Sequence, residues 1–341
     1  MRSTVTLITG AGGEIGHGLI ERLHAAGHQI VTIDLAPLAP ELSRLVLREF
    51  TGSITDPQLL ERVLAQFEIN LVFHLAALLS TRSEFTPVSA HQVNVDGTLN
   101  LLEFAQREGE SHGRPVVFVY PSSIAVYGVP DQATRTRAGA VKEDEWNQPQ
   151  TMYGCNKLYC EQLGRYYSRH YKQLAAGVTS RVDFRCLRFP GLISAETEPS
   201  GGTSDYAPEM LHAAARHAEY ACFVRPDTRI PLMAMPDAIE ALLRLANAPR
   251  ARLSLTAYNT MAFNPSAEEI RDAVMRAFPD ATIGWTLDEK RQRIVDSWPA
   301  GVDDSAARRD WGFAPAFDFQ KAFDDYLVPR IREHYRSEGR S

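Results

Sequence analysis

The sequence predicts an α/β fold: a doubly wound parallel sheet, followed by a smaller C-terminal α/β segment that covers it as a lid. Two observations predict this fold. Apolar, β-rich runs alternate with helical patterns up to residue 189, and the alternation loosens after Pro190. At 341 residues the chain is long enough for one large domain or for two closely joined domains.

Six runs have the length and composition of buried strands, and helical patterns or long connections separate them. Strands joined by helices pair in parallel through right-handed crossovers, which gives a doubly wound sheet. The six predicted strands are residues 4–8, 29–34, 45–50, 71–77, 116–120 and 184–189, and the longest predicted helices are residues 57–67, 87–108 and 151–174.

The same pattern predicts how the chain divides. Residues 1–190, with returns near 230–262, are expected to form the nucleotide-binding domain. Residues 191–229 and 263–335 are expected to form the substrate-binding lid. The polar stretch 129–150 is expected to be a long mobile loop.

A glycine-rich turn follows the first predicted strand. Gly10, Gly13 and Gly16 have the spacing Gly-x-x-Gly-x-x-Gly, and a helical pattern begins between them with Glu14 and Ile15. Such glycines allow a tight turn, let the backbone approach a pyrophosphate and let the helix pack on the strand. The N–H groups that begin the helix then face the phosphates. Strand, turn and helix together predict a dinucleotide site.

The second predicted strand ends in Asp34, which indicates the kind of dinucleotide. A carboxylate in this place accepts hydrogen bonds from the adenosine ribose hydroxyls and repels a 2′-phosphate. NAD is therefore favoured over NADP, although Arg44 and Arg48 are close enough in sequence to keep NADP open.

Tyr153 and Lys157 lie one turn apart on the predicted helix 151–174, so they share a face. A phenol has a pKa near ~10, and an ammonium group nearby favours the phenolate, which can act as a general base. Ser123 stands just after the fifth strand, where its hydroxyl can bind the same substrate oxygen. A Tyr-x-x-x-Lys pair occurs by chance in many helices; the dinucleotide motif upstream gives this pair its significance.

Composition and charge exclude several other classes of protein. The net charge of −6 and pI near 6.0 argue against a general nucleic-acid binder. No apolar run approaches the ~20 residues that span a bilayer. The four cysteines and ten histidines show no metal-ligand spacing, so no metal is expected. Reduced thiols and a first strand that begins at the N-terminus predict a cytoplasmic protein.

In combination, these motifs resemble those of the extended short-chain dehydrogenases/reductases. The resemblance implies a Rossmann fold, NAD as cofactor and Tyr153 as general base. Lys157 would lower the pKa of that phenol and hold the nicotinamide ribose, while Ser123 orients the reacting oxygen. The residues that carry the resemblance are Gly10, Gly13, Gly16, Asp34, the run His74-Leu75-Ala76-Ala77, the run from Asn94 to Thr98, Ser123, Tyr153 and Lys157.

Further cofactor contacts are expected in the loop after the third strand and at the ends of later strands. These expected contacts are Ser53, Ile54, Leu75, Ala76, Ala77, Asn94 and Pro190.

Several later segments are similar to the short-chain type of L-threonine 3-dehydrogenases, among them residues 77–80, 187–194, 201–207 and 296–299. This similarity implies oxidation of the secondary hydroxyl of threonine to 2-amino-3-oxobutanoate. Ser80, Thr203 and Ser204, with the amides of the Gly201–Gly202 turn, would bind the amino acid's charged groups, while Ser123 and Tyr153 bind the reacting oxygen. Ser80, Thr203 and Ser204 could instead be ordinary helix or strand-end caps. Ser200 and Ser204 depart from the usual family residues Gly and Thr.

The resemblance also implies a homodimer built on helices 87–108 and 151–174, with Tyr159, Leu163, Tyr166 and Tyr167 as its apolar contacts; packing on the sheet is the alternative.

Two other functions stay open at this point. The first is a nucleotide-sugar 4-epimerase or dehydratase of the same superfamily, whose diphosphate could bind Arg216, Arg225 and Arg229 of the lid. The second is a non-catalytic NAD-binding protein, since a fold does not establish an activity.

Overall fold

The computed structural model of the chain describes residues 2–195, 197–199 and 202–337. Its strands are β1 (Ser3–Thr9), β2 (Ile30–Asp34), β3 (Arg48–Thr51), β4 (Phe67–His74), β5 (Val116–Ser123), β6 (Ala140–Val141), β7 (Val182–Phe189), β8 (Gly191–Ile193), β9 (Tyr220–Cys222), β10 (Leu232–Ala234), β11 (Ala257–Asn259), β12 (Ile283–Trp285) and β13 (Gly301–Val302).

Helices connect most of these strands. They are α1 (Glu14–Ala25), α2 (Pro40–Ser43), α3 (Pro57–Gln66), α4 (Ser80–Phe85), α5 (Pro87–His91), α6 (Gly97–His112), α7 (Gln132–Ala138), α8 (Met152–Arg169), α9 (Tyr206–Ala215), α10 (Met235–Asn247), α11 (Ala267–Ala277), α12 (Glu289–Asp296), α13 (Ser305–Trp311), α14 (Phe319–Lys321) and α15 (Val328–Ser337). π-Helical turns at Gln92–Asp96 and Ala322–Leu327 join α5 to α6 and α14 to α15, and 3₁₀ turns lie at Ile124–Val126 and Arg250–Arg252.

Seven strands form one parallel sheet in the order β11-β7-β5-β4-β1-β2-β3. This architecture confirms the predicted doubly wound fold, and β11 adds a seventh strand at one edge. The chain runs outward from β1 to β3 and then returns to β4 on the other side of β1. The order therefore reverses between β1 and β4, and ligands bind outside the carboxyl ends of strands at such a reversal.

Both faces of the sheet are covered, as a parallel sheet requires. One buried cluster joins the sheet to α3, α6 and α8, through residues such as Leu59, Leu101 and Tyr167. The other cluster joins the opposite face to α1 and α10 and continues into the segments after Pro190, where Met210 and Ile270 belong to it. The segments after Pro190 thus share a hydrophobic core with one face of the sheet.

Three smaller parallel pairs lie outside this sheet: β8 with β10, β9 with β12, and β6 with β13. Within the described ranges, no helix combines the length and apolar character needed to cross a bilayer.

The stretch 129–150 is partly regular, which corrects the prediction of a long mobile loop. It contains α7, whose first turn is capped by Asp131, which accepts a hydrogen bond from the Thr134 amide at 2.7 Å. It also contains β6, which pairs with β13 from a segment about 160 residues later. Pairing at that sequence distance leaves no local pattern, so the polar composition alone suggested a loop.

Candidate active site

The glycine-rich turn packs directly against the end of β4. Gly10 has a φ of +68°, and a Cβ on it would lie 2.6 Å from the Ala76 nitrogen. Gly16 is equally restricted, since its Cβ would lie 2.3 Å from the Ala11 carbonyl oxygen. Only glycine fits at these two positions, for reasons internal to the protein.

Gly13 differs from both, because the protein leaves room beside it. A Cβ on Gly13 would meet only the Gly10 carbonyl oxygen, at an ordinary 3.4 Å. Gly13 is the N-cap of α1 and has no side chain that could cap the helix. The N–H groups of Glu14 to Gly16 therefore point out of the helix at the positive end of its dipole. Open space at a helix N-terminus fits the pyrophosphate of a dinucleotide.

Asp34 closes this turn from the end of β2. Its Oδ2 accepts a hydrogen bond from the Gly12 amide at 2.8 Å, while Oδ1 is 3.4 Å from the Ala36 amide. The carboxylate is half-exposed beside the turn, which suits ribose binding. On β3, Arg48 pairs with Val31, whereas Thr51 pairs with Asp34. Arg48 therefore lies three residues, or about 10 Å, from the level of Asp34 along the strands. Sequence reasoning missed Gly12 as the partner of Asp34.

The end of β4 runs beside the same turn. The Leu75 amide donates to the Thr9 carbonyl at 3.0 Å, which places Leu75, Ala76 and Ala77 along the crevice. His74 is buried between Thr9 and Thr98, with Nδ1 2.8 Å from one hydroxyl and Nε2 2.9 Å from the other. Burial lowers its pKa to about 3, with a smaller effect from Lys157, so the ring is neutral.

Three other predicted cofactor residues make contacts within the protein. Asn94 is buried, accepts from the Leu78 amide at 2.7 Å and donates to the Leu78 carbonyl at 3.0 Å, so it fixes the segment after β4. Ile54 is buried, and a Cβ on Gly97 would lie 2.5 Å from its Cδ1. Ser53 bonds the Thr55 hydroxyl at 2.7 Å. Direct cofactor contact by these residues stays a prediction.

A glycine brings the start of α8, which carries Tyr153, against the segment that follows Ser123. Ser123 ends β5, pairs with Phe189 of β7 and accepts a hydrogen bond from the Ala125 amide at 3.2 Å. Gly154 lies against this segment so closely that a Cβ on it would be 2.0 Å from the Ala125 carbonyl oxygen. The first turn of α8, which carries Tyr153, therefore packs on the residues that follow Ser123. The buried Pro190, next after Phe189, borders the same place.

Lys157 is buried behind the tyrosine. Its ammonium donates to the Pro121 carbonyl at 2.7 Å and lies 4.5 Å from the ring centre of Tyr120 and 5.5 Å from that of Tyr153. Burial lowers the pKa of Lys157 to about 8.

Burial raises the pKa of the Tyr153 phenol above its usual value. The direction is opposite to the one predicted from the Lys157 charge. The reason is that Lys157 directs its proton at a backbone carbonyl, while the half-buried phenol loses hydration. In the protein alone, Lys157 does not compensate for that loss.

Two predicted substrate residues, far apart in sequence, come together. The Thr203 hydroxyl lies 3.5 Å from the Ser80 hydroxyl, and Thr203 is buried. Ser204 is half-buried in the next position. The N-cap position of α9 is Asp205, so the alternative that Thr203 or Ser204 caps this helix is wrong. The alternative that Ser80 is a strand-end cap stays open. Ser200 and Gly201 lie outside the described residues.

Arg291 of α12 is a contact that sequence reasoning missed. It donates to the Gly202 carbonyl at 2.5 Å and stacks on Phe223, with its guanidinium carbon 3.2 Å from the ring centre. The Asp205 carboxylate accepts from the Gly202 amide at 2.6 Å. Arg291 also pairs with Glu209 of α9 at 4.0 Å. Its partners are distant in sequence, so no local sequence pattern indicates this arginine.

A search of the described residues finds no group of three or more His, Cys, Asp or Glu side chains that could hold a metal ion. The four cysteines are free thiols, and Cys155 is the exposed one.

A dinucleotide crevice with a Ser, Tyr and Lys at its edge defines a nicotinamide-dependent oxidoreductase. Comparison with known proteins gives the family. Residues 6–260 match the model of the NAD dependent epimerase/dehydratase family. The chain belongs to that family and is an NAD-dependent dehydrogenase of the extended short-chain dehydrogenase/reductase type.

The chain is also similar to proteins named for one substrate. It is 34% identical over 335 residues to the mitochondrial L-threonine 3-dehydrogenase of Bos taurus, covering 98% of this chain and 83% of the relative. The holo form of a GalE-like L-threonine dehydrogenase from Cupriavidus necator is 33% identical, with a TM-score of 0.84 over 95% of this chain and 99% of that one. A monomeric L-threonine 3-dehydrogenase of metagenomic origin has the same identity and TM-score over 97% and 100%.

The two kinds of glycine in the turn can be separated experimentally. Gly13→Ala is expected to weaken NAD binding at least about tenfold without lowering the melting temperature, because the added methyl enters only the space left for the pyrophosphate. Gly10→Ala is expected to lower the melting temperature, since its methyl overlaps Ala76. Calorimetric titration with NAD and thermal unfolding without NAD measure the two effects.

Gly27→Ala is the control, because Gly27 has a φ of +81° but a Cβ on it would have no atom within 4 Å. It reports the cost of backbone strain alone. Unchanged NAD affinity in Gly13→Ala would show that the pyrophosphate does not approach this residue.

Proposed function

We propose that the protein oxidises the secondary hydroxyl of L-threonine with NAD, giving 2-amino-3-oxobutanoate. The observation that carries this proposal is the convergence of Ser123, Tyr153 and Lys157 at the carboxyl edge of the sheet, through the contact of Gly154 with Ala125. The substrate is suggested by the relatives, which are named for threonine, and by the adjacent hydroxyls of Ser80 and Thr203.

In this proposal Tyr153 takes the proton from the substrate's C3 hydroxyl, and Ser123 donates a hydrogen bond that orients the same oxygen. Bound NAD would supply the acceptor for the hydride that leaves C3 and would add positive charge to the site. Because burial raises the pKa of Tyr153, the phenolate requires more positive charge than Lys157 alone supplies. Lys157 contributes its part from a fixed position, since Pro121 holds its ammonium.

The charged groups of the amino acid would be bound on the lid side. The hydroxyls of Thr203 and Ser204 can bind the carboxylate, and the Ser80 hydroxyl can accept from the ammonium. These groups are small and neutral, which matches a small zwitterion better than a multiply charged anion. Arg291 supports the turn by binding the Gly202 carbonyl.

The lid arginines disfavour the nucleotide-sugar alternative. Arg216 pairs with Glu198 at 3.4 Å, Arg225 with Asp296 at 2.8 Å, and Arg229 with Glu269 at 2.9 Å. A diphosphate site needs positive charge that is not already neutralised. The complete set of Ser123, Tyr153 and Lys157 likewise argues against a non-catalytic NAD-binding protein, which has no need of a general base.

We further propose that residues 1–190, with the returns near 230–262, hold the cofactor, and that residues 191–229 and 263–335 act as the lid. We place the protein in the cytoplasm, where its four free thiols stay reduced. The Bos taurus relative is named as mitochondrial, so fractionation of the source cells tests this assignment, and an organellar location would contradict it.

Threonine oxidation is tested by following NADH. The wild-type protein is expected to produce NADH with L-threonine, and UDP-sugars are expected to give no net NADH. Tyr153→Phe is expected to lower turnover about 10²- to 10⁴-fold, because the proton acceptor is lost while the ring is kept. NAD affinity should stay near that of the wild type.

Tyr159→Phe is the matched control, since Tyr159 lies on the same helix but is exposed. It should retain wild-type turnover. Normal turnover in Tyr153→Phe would remove the general-base assignment, and epimerisation of a nucleotide sugar without threonine oxidation would favour the other reaction.

We also propose a homodimer in which α6 and α8 face the same helices of a second copy. Leu99 on α6 and Tyr159 and Tyr166 on α8 are exposed apolar side chains on these neighbouring helices. Leu163 and Tyr167, also expected in the interface, belong to the protein's own core instead. One structural relative is described as monomeric, so the family does not decide the question.

Sedimentation is expected to give a dimer for the wild type and a monomer for Tyr159→Glu, because a charge would be buried at the interface. Met275→Glu is the control: Met275 is exposed on α11, an element of the proposed lid, so this variant should stay dimeric. A monomeric wild-type protein would contradict the proposal.

A further inference from the structure

A buried ion pair joins the helix that carries Tyr153 to the strand that ends at Pro190. Arg188 of β7 donates two parallel hydrogen bonds to Glu161 of α8, from Nε at 2.9 Å and from a terminal nitrogen at 2.7 Å. Each side chain is only 3% exposed. Two-point contact of this kind fixes direction as well as distance.

The rest of the arginine is also bound. Its other terminal nitrogen donates to the Tyr127 hydroxyl at 2.8 Å and to the Glu143 carbonyl at 2.9 Å, and the guanidinium lies 4.9 Å from the Tyr127 ring centre. Tyr127 in turn donates to the Asn259 side chain at 2.6 Å. The pair is thereby tied to the segment after β5 and to β11, so it cannot shift independently of the sheet.

The location of the pair relates it to the site. Glu161 lies one helical turn beyond Lys157, and Arg188 lies two residues before Pro190. Close to the pair, α8 packs tightly on β7: a Cβ on Gly164 of α8 would be 2.2 Å from the Phe184 ring of β7. The pair therefore fixes where along and around β7 the helix sits.

Stability is a poor explanation for such a pair. Taking two charges out of water costs about as much as their attraction returns, and an apolar replacement of both is often neutral or stabilising. A role in geometry is consistent with both its cost and its position.

We propose that Glu161 and Arg188 are positioning residues: the pair sets the register of α8 on β7 and so places Tyr153 and Lys157 against the substrate and cofactor. This inference rests on the proposed function, because it takes Tyr153 and Lys157 to be the groups that act.

The pair also affects the charge of Lys157. The groups that face this amine are Tyr153, Cys160 and Glu161 on its own helix, Tyr120 on β5, Cys186 on β7 and His74 on β4. Burial lowers the pKa of Lys157, while the Cys160, Cys186 and Glu161 groups raise it. Among these groups Glu161 carries the carboxylate. Its partner, the Arg188 cation, lies on β7.

Glu161→Gln tests the proposal with little change of shape. We expect turnover with threonine to fall about ten- to a hundredfold, because small displacements of catalytic groups have effects of this size. The KM for threonine and the NAD affinity should stay within about twofold. The pKa of Lys157, measured by NMR of the labelled lysine side chain, should fall, since a carboxylate is lost and the Arg188 cation is left uncompensated.

Asp183→Asn is the matched control. Asp183 pairs with Arg185 in the same strand at 2.6 Å and is similarly buried, but it lies five residues before Arg188 and so about 16 Å from it. Asp183→Asn should lower the free energy of unfolding, because it breaks a buried ion pair. Turnover should stay within about twofold, and the pKa of Lys157 should stay unchanged.

The double variant Glu161→Met/Arg188→Met separates positioning from folding. It should keep a melting temperature near that of the wild type and still lose turnover. Wild-type turnover in this variant or in Glu161→Gln would overturn the proposal, as would a loss in Asp183→Asn equal to that in Glu161→Gln. The NMR titration does not depend on turnover. If the wild-type protein were inactive on threonine, the proposed substrate would be wrong, but the effect on the pKa of Lys157 could still be measured.

Discussion

Helix α8 can bring Tyr153 to the end of β5 only because residue 154 has no side chain. A methyl group there would overlap the Ala125 carbonyl oxygen, and at Gly164 it would overlap the Phe184 ring. Two close contacts, about three turns apart, hold one helix face on the sheet without a gap. Lys157 lies between them and is thereby deep enough to reach the Pro121 carbonyl. The chemistry of the site depends on this approach.

The parallel sheet provides the second constraint. All its strands end at one edge, so residues from β1, β2, β4, β5 and β7 meet there although the chain visits them in turn. The nucleotide side of the site lies where the order reverses, with Gly10 packed on Ala76. The proposed catalytic side lies two strands away, where Ser123 pairs with Phe189. Thr203, from the segment before α9, lies beside Ser80 at the start of α4.

The parts that the sequence predicts well are those with a local signal. Buried strands are apolar runs, the nucleotide turn is a glycine pattern, and Tyr153 and Lys157 are one turn apart. Each of these signals is contained in a short stretch of sequence. Burial has no such signal. The prediction for the pKa of Tyr153 had the wrong direction, because one nearby charge was visible and the loss of hydration was not.

Long-range pairing accounts for the other differences. The strand β6 within 129–150 exists because of β13. Tyr167 lies in the core, where its hydroxyl bonds Glu103 of α6 and its ring contacts Tyr171. Glu161 and Arg188 are 27 residues apart in sequence, and no pattern joins them. An arginine inside an apolar strand does indicate a buried partner, because an unpaired guanidinium is not tolerated there. That signal identifies the need for an acid without saying which one.

The pairing of β5 with β7 runs unbroken over eight residues, from Val116 with Val182 to Ser123 with Phe189. Side chains of a strand alternate between the two faces, so the loss or gain of one residue inside either strand would turn every later side chain to the opposite face. Ser123 would then leave the crevice, and Arg188 would point away from α8. These two strands can accept changes of residue type but not of length, whereas the connections beyond their ends carry no such restriction.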